Sequence, residues 1–468
     1  MPLTAAQFAP WIRSLLEAPT AAESGLKLED YLAGIPRFDT LADVPSGTPV
    51  LVRGDTDAKP GPTIGDGDIR LRSMVDTLEY GRKKGWKQIV FGHIGRKPEG
   101  SLNKVAKRLG EILQCDVPLV ADWYDDASGT VLETVRDAVQ KAAPGSVLML
   151  ENTRKYGIET VLWKAKPADA DTLAPKLAKF AQDLADKVAK VYVNEALSAG
   201  SLDTSSTVVP AAMTRAVLGK YVAREFDGPM RRCLNADLVV FSGLKTDKLD
   251  DLQAVIDRGR VKWVFVAGNL VLALVKADAE LAGKEYSLGV AEKPENSKEP
   301  WYIERGRVDQ AKKMLSEGRA KGIQFVLPVD FTLADGRSSR MIGPDEQNFD
   351  VGTETSKLFA DKIGEFIDSL KKRPAGSPPA VAFHNGVFGM FEDARYEAGT
   401  KNFMPQLKRL KDAGVEVYIG GGEGGAAMEK YGAPDWITHC FTAGGTVLNA
   451  LGSAPVPYLQ ALSMANKK

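Results

Sequence analysis

"VEVYIGGGEGGAAMEKYG", residues 415–432, reads as a buried strand, a glycine-rich turn and the start of a helix. Val415, Val417, Tyr418 and Ile419 supply the apolar run, and Gly420-x-Gly422-x-x-Gly425 follows at once. Glycine there lets backbone approach a phosphate closely, and a helix N-terminus concentrates unpaired N–H groups and partial positive charge. Strand, turn and helix in that order form the repeating unit of a parallel α/β sheet.

The same order recurs along the chain. Strands are predicted at "PVLVRGD" (49–55), "KQIVFGH" (87–93), "SVLMLEN" (146–152), "KVYVNEA" (190–196), "DLVVFSG" (237–243), "KWVFVAG" (262–268), "IQFVLPVDF" (323–331), "AVAFHNG" (380–386), "VEVYIGG" (415–421) and "WITHCFT" (436–442). Most are Val/Ile/Phe runs without alternation, as expected of strands buried on both faces. Between them lie helical faces such as Leu173, Leu177, Phe180, Leu184 and Val188, or Leu71, Met74, Val75 and Leu78. The expected class is α/β, with two parallel sheets, because 468 residues exceed one core. The polar stretch 223–235 is the expected connector and hinge.

Bulk composition narrows the function. Lys+Arg and Asp+Glu both total 61, so net charge gives no reason to expect nucleic acid or an anionic membrane as partner. Cys115, Cys233 and Cys440 are widely spaced and form no CxxC pair, which fits a reducing cytosol and suggests no zinc site. No apolar run reaches the roughly 18 residues a membrane span needs. Phe8, Trp11, Ile12, Leu15 and Leu16 sit at helical spacing, so the N-terminal stretch is expected to be a surface helix docked on the body rather than a secretory signal.

The chemistry-bearing residues follow the strands, the edge where open parallel sheets bind ligands. A second glycine turn, Gly444-Gly445, ends the next strand after the first knot. Two such turns suit a chain of phosphates, whereas a dinucleotide site would need an acidic ribose ligand at that strand tip, which is missing. Lys245 and Lys248 follow another strand in the same half; lysine beside glycine backbone neutralises a transferring phosphoryl group. In the first half, Arg70, His93, Arg96 and Arg154 are placed at or near successive strand tips, where converging arginines hold phosphate or carboxylate. One half is thus read as a nucleotide-phosphate site and the other as a site for a small anion, with a cleft that must close before reaction.

These motifs resemble the phosphoglycerate kinase family. "VLVRGDTDAKPG" resembles VxxRxDxNVP, "IVFGHIGRK" resembles SHLGRP, and "GSVLMLENTR" resembles GxVxLLENxRF. "VYVNEALSAGSLDTSS" is similar to YVNDAFGxAHRAHxS, "FSGLKTDKL" to GGAKVxDK, and "VLPVDF" to the LPxD strand. "FHNGVFGMFE" is similar to WNGPxGxFE, "IGGGEGGAA" to IGGGDTxA, and "THCFTAGG" to SHVSTGGG. The matches run in order from about residue 49 to the C-terminus.

The resemblance implies two doubly wound, Rossmann-like domains joined by a hinge. The N-terminal domain, 1–222, would hold 3-phosphoglycerate; the C-terminal domain, 223–455, would hold ATP or ADP with Mg2+; the tail, 456–468, would return to the first domain. The implied reaction transfers the ATP γ-phosphoryl reversibly to the substrate carboxylate, giving 1,3-bisphosphoglycerate and ADP in glycolysis. A cytoplasmic monomer without nucleic-acid or membrane partners is expected. By position, Arg70 matches the arginine bridging carboxylate and transferring group, and Lys245 the lysine that follows the phosphoryl group. Asp55 matches the acid that binds the substrate hydroxyl, Asp57 the asparagine near its carboxylate, and His93, Arg96 and Arg154 the binders of its phosphate. Lys248, Asn385 and Glu392 match nucleotide ligands, Glu392 at the ribose. Gly420, Gly421, Gly422, Gly444 and Gly445 would lie beside the phosphates, and Glu423 takes the position linked to the nucleotide's magnesium.

The sequence departs from the pattern at named places. The family's HRAH is Ser201-Leu202-Asp203-Thr204, which removes two histidines and an arginine and adds a carboxylate. Lys245 and Lys248 stand three apart instead of four, which would shift one lysine by about 100° from the family's placement if the segment were helical. These departures leave two other expectations open: a kinase of the same fold for a different small acid, or a ligand-binding paralogue without turnover.

Overall fold

A computed structural model of the protein describes residues 3–17, 28–59, 66–246, 248–452 and 455–467. The chain forms two compact units: Met1–Asp227 with Ala454–Lys468, and Gly228–Ser453. Each is built on a six-stranded parallel sheet.

In the first unit the strands are β1 (Pro49–Gly54), β2 (Lys87–Phe91), β3 (Leu119–Val120), β4 (Val147–Leu150), β5 (Val191–Glu195) and β6 (Arg215–Leu218), in the order β3-β4-β2-β1-β5-β6. In the second they are β7 (Leu238–Phe241), β8 (Trp263–Val266), β9 (Gln324–Val326), β10 (Val381–Asn385), β11 (Glu416–Ile419) and β12 (His439–Cys440), in the order β9-β8-β7-β10-β11-β12. Both orders reverse beside the first strand of the unit. The crevices at β1/β5 and at β7/β10 are therefore the places where an open parallel sheet takes ligands.

β1, β4, β5, β7, β8 and β10 are buried almost throughout, which explains their unbroken apolar sequence. Two strands of the six-stranded sheets escaped the sequence reading: β3, two residues long, and β6, an edge strand whose Arg215 is exposed. The predicted strand 323–331 stops at Val326. Pro328 has no N–H to continue the ladder, and Phe331–Leu333 pairs instead in a small antiparallel sheet with Ser338–Ser339 and Asn348–Val351. Strand 436–442 shrinks to β12 because Pro434–Trp436 winds as a 3-10 turn.

The helices that matter below are α1 (Phe8–Leu16), α2 (Asp66–Ser73), α3 (Val75–Lys83), α4 (Ala170–Lys187), α5 (Lys220–Glu225), α6 (Lys248–Asp257), α7 (Glu423–Tyr431), α8 (Gly444–Leu451) and α9 (Pro457–Asn466). α1 buries Phe8, Trp11, Ile12 and Leu15 and packs on α4. α9 buries Tyr458, Leu459 and Leu462 within the first unit, where Asn466 Nδ2 donates to Ala216 O at 3.1 Å. The division between the two units falls within segment 223–235, which is helical: α5 passes through a π-turn at Phe226–Met230 into Arg231–Cys233, with Phe226 and Cys233 buried. No helix among the described residues is long and apolar enough to cross a membrane.

Candidate active site

The carboxyl end of β1 turns sharply into the residues that carry charge. Asp55 is fully buried; Ser198 Oγ donates to its Oδ1 at 2.7 Å, and its Oδ2 has no protein partner. Burial pushes its carboxyl above the usual aspartate range, against the pull of Arg70 and the Ser198 bond. Arg70 lies on α2, not at a strand tip, and reaches back to this turn. Its Nη1 donates to Asp57 O at 2.7 Å and sits 3.1 Å from Asp57 Oδ2, while its Nε lies 3.9 Å from Asp55 Oδ1. Gly95 N also donates to Asp57 Oδ1, at 2.9 Å. The negative charge that Asp57 places here is thus screened from two sides.

A second cluster lies beneath the β2 and β4 tips. Arg53, 1 % exposed, donates through Nε to Ser205 Oγ and through Nη2 to His93 Nδ1, both at 2.8 Å. His93 therefore accepts at Nδ1 and carries its proton at Nε2. Burial, then Arg53, Arg154 and Arg70, hold its imidazole well below the ordinary histidine range. It is a neutral group that offers an anion only the Nε2 hydrogen. Arg154 donates to Gly95 O at 2.8 Å and stacks over the Trp163 ring at 4.8 Å. Asp203 joins this cluster: Trp163 Nε1 donates to its Oδ1 at 2.9 Å, and Arg154 Nη2 to its Oδ2 at 3.2 Å. Beside them a cavity of about 340 Å³ is lined by Arg96, Arg154, Trp163, Ser201 and Leu202.

In the second unit a cavity of about 510 Å³ opens at the carboxyl ends of β7, β8 and β10. Trp301, Phe349 and Phe388 line it, with Asn269, Asn348, Glu392 and Glu423 among its polar groups. Its size and mixed apolar and polar lining suit a nucleoside-sized ligand. Backbone packs against backbone at its floor: a Cβ on Gly268 would lie 2.5 Å from Gly243 N. Lys248, the first residue of α6, donates to Ser242 O at 2.8 Å and to the buried Asn385 Oδ1 at 3.2 Å. Lys245 precedes the helix and is exposed, so the helical shift expected for one of the lysines does not arise.

The glycine turns divide by role. A Cβ on Gly420 would meet the Asn385 amide, one on Gly421 the Phe441 carbonyl, and one on Gly444 would lie 2.8 Å from Gly421 O. These three let the two turns pack together. Gly422, at φ 71°, and Gly445 face open space at the starts of α7 and α8. Glu423 follows directly and lines the cavity.

The family model described as phosphoglycerate kinase matches residues 41–453. The chain belongs to the phosphoglycerate kinase family. Phosphoglycerate kinase from Clostridium kluyveri is 28% identical over 448 residues, covering 91% of this chain and 98% of its own. The cytosolic phosphoglycerate kinase 3 of Arabidopsis thaliana is 27% identical over 416 residues, covering 85% and 90%. The crystal structure of phosphoglycerate kinase from Pyrococcus horikoshii OT3 superposes with a TM-score of 0.69 at 23% identity, covering 92% of this chain and 99% of that one, which shows the fold. The two-domain α/β architecture is the family's, and the relatives are kinases.

Within this phosphoglycerate kinase family member, the structure brings Asp55, Asp57 and Arg70 together, and His93 and Arg154 together around Asp203. It gathers Glu392 and Glu423 at one cavity, with Lys248 and Asn385 bonded to each other beside its floor. Arg96 borders the smaller cavity without joining the buried cluster. Sequence reasoning missed Trp163, which no motif marked, and the structural weight of Arg53, whose place in "VLVRGD" was the available signal.

Proposed function

We propose that the chain transfers the γ-phosphoryl group of ATP reversibly to the carboxylate of a small acid, giving an acyl phosphate and ADP. With 3-phosphoglycerate the product is 1,3-bisphosphoglycerate, the glycolytic reaction. The observation that carries this proposal is the aromatic-walled cavity of about 510 Å³ at the second sheet's switch point, with Glu423 at its wall and two open glycine helix starts next to it. Lys248, Asn385 and the N–H groups at Gly422 and Gly445 would bind nucleotide phosphates, Glu392 the ribose, and Lys245 the phosphoryl group in transit. In the first unit Arg70 would neutralise the carboxylate and the arriving phosphoryl, and Asp55 Oδ2 would accept a hydroxyl of the acid.

Magnesium fits as an ion delivered by the nucleotide. Glu423 supplies a carboxylate, and no group of three or more His, Cys, Asp or Glu among the described residues is placed to hold an ion by itself. When bound, the ion neutralises charge on the phosphoryl oxygens. The proposed protein is a cytoplasmic monomer without nucleic-acid or membrane partners.

One observation favours a second reading, a same-family kinase for a different small acid: Asp203 sits among the groups that would hold the substrate's own phosphate. A coupled assay with MgATP and 3-phosphoglycerate, with calorimetric titration of each ligand, separates the possibilities. Turnover supports the first reading, and nucleotide binding without 3-phosphoglycerate binding supports the second. Absence of nucleotide binding would remove the kinase assignment.

A further inference from the structure

Asp203 has a protein donor on each of its carboxylate oxygens. It is fully buried, bonded by Trp163 Nε1 at 2.9 Å and Arg154 Nη2 at 3.2 Å, with Arg53 Nη2 at 3.6 Å. His93 Nδ1 is also 3.6 Å away but already accepts from Arg53, so it gives Asp203 no hydrogen bond. The backbone fixes the residue in place. Thr207 N and Oγ1 donate to Asp203 O at 3.0 and 2.8 Å, and Trp11 Nε1 from α1 holds Thr207 O at 3.0 Å. A buried arginine paired with a carboxylate is committed to it, because separating the pair leaves an uncompensated charge.

The neighbouring cavity shares two walls with this cluster, Arg154 and Trp163. What remains for a ligand there is Arg96, the Ser201 hydroxyl, Leu202 and the outer part of the indole, which is 40% exposed. Among the described residues no hydrogen bond or ion pair holds Arg96. A phosphate, carrying about −1.5 to −2 charges near neutral pH, would come to rest beside a fixed carboxylate and find its strongest donors taken. A hydroxyl or small apolar group would meet no such repulsion.

We propose that Asp203 is a built-in anion that satisfies the arginine–tryptophan cluster, and that the cavity beside it admits the uncharged end of an unphosphorylated small acid. The inference rests on the second reading above, a family kinase for a different acid. Asp203 is then a specificity-determining residue rather than a catalytic one.

Glycerate and 3-phosphoglycerate differ only by the phosphate, so the full-length protein is titrated calorimetrically with each, and with inorganic phosphate. The expected result is glycerate binding at least tenfold tighter than 3-phosphoglycerate, with no heat from phosphate. In Asp203→Asn the affinity for 3-phosphoglycerate should rise at least tenfold, and phosphate should begin to raise the melting temperature. Equal or tighter binding of 3-phosphoglycerate by the unmodified protein overturns the proposal, as does failure of both acids to bind. Should Asp203→Asn not fold, the ranking of the two acids by the unmodified protein decides alone. Turnover with MgATP is scored separately. Preference for glycerate without phosphorylation of it keeps the selectivity and removes the kinase reading; rapid phosphorylation of 3-phosphoglycerate does the reverse.

Discussion

Asp55 and Asp203 are both fully buried carboxylates in one unit, yet their surroundings differ in what they leave open. Asp203 has both oxygens bonded, whereas Asp55 keeps one oxygen without a protein donor and relies on Arg70, nearly 4 Å away, for charge. That asymmetry separates a structural anion from one available to a ligand. Arg70 makes the ion-pair contacts to both Asp55 and Asp57, and its side chain stays 17% exposed. Replacing it by alanine should lower turnover by about 10²–10³-fold, the usual loss when a charge-stabilising donor is removed, and leave ADP affinity within about twofold. Arg70→Lys should fall between, since lysine keeps charge but not the planar fork. Steady-state kinetics with an ADP titration checks this; turnover within tenfold of the unmodified enzyme would take Arg70 out of the mechanism. Residues 55, 70, 93 and 154 were legible because they follow or face strand ends. The role of Asp203 was not, because its partners at 53, 154 and 163 are distant in sequence and converge only through the fold.

At the level of elements, the buried parallel strands announced themselves, since Val and Ile on both faces leave little other reading. The edges were harder: β6 and β12 carry polar or exposed residues, and Pro328 cut a convincing apolar run short. α1 was legible as a docked helix, but its purpose was not. Its indole bonds to Thr207 and so braces the turn that carries Asp203. Trp11→Phe keeps most of the packing and loses that bond, so a destabilisation of about 1 kcal/mol is expected, against about 3–5 kcal/mol for Trp11→Ala; urea midpoints measure both. At the start of α5, Glu195 accepts from Thr77 Oγ1 at 2.7 Å and Tyr221 N at 2.9 Å. Burial outweighs these bonds and raises its carboxyl from 4.5 to about 7. Between those values the folded chain keeps a proton that the unfolded chain has released. The contribution is therefore complete below about pH 4.5 and fades as pH rises through about 7, on the order of 3 kcal/mol in all. Glu195→Gln should flatten the pH dependence of stability from about 4.5 to 7 relative to the unmodified protein. Parallel curves would show that Glu195 does not titrate there.

Across the whole molecule, the two units repeat one device: a parallel sheet whose strand order reverses beside its first strand, with function placed at the carboxyl ends there. Their linings differ in chemistry. The first unit concentrates arginines and carboxylates; the second pairs aromatic walls with glycine backbone, Lys248 and two helix starts. Charge alone, 61 against 61, hid this division, because each cation cluster has acidic partners within its own unit. If the division is real, MgADP should stabilise only Gly228–Ser453. At about 100 times its dissociation constant a ligand adds about 2.7 kcal/mol to the state that binds it, roughly a hundredfold in the opening equilibrium. Hydrogen exchange should therefore slow most in segments 242–248, 385–392 and 420–424, up to about a hundredfold where exchange needs opening of that unit. Segments 53–57 and 93–96 should be unchanged until an acid is added. Protection by MgADP centred on 53–57 would place the nucleotide in the arginine-rich unit and reverse the assignment of the two sites.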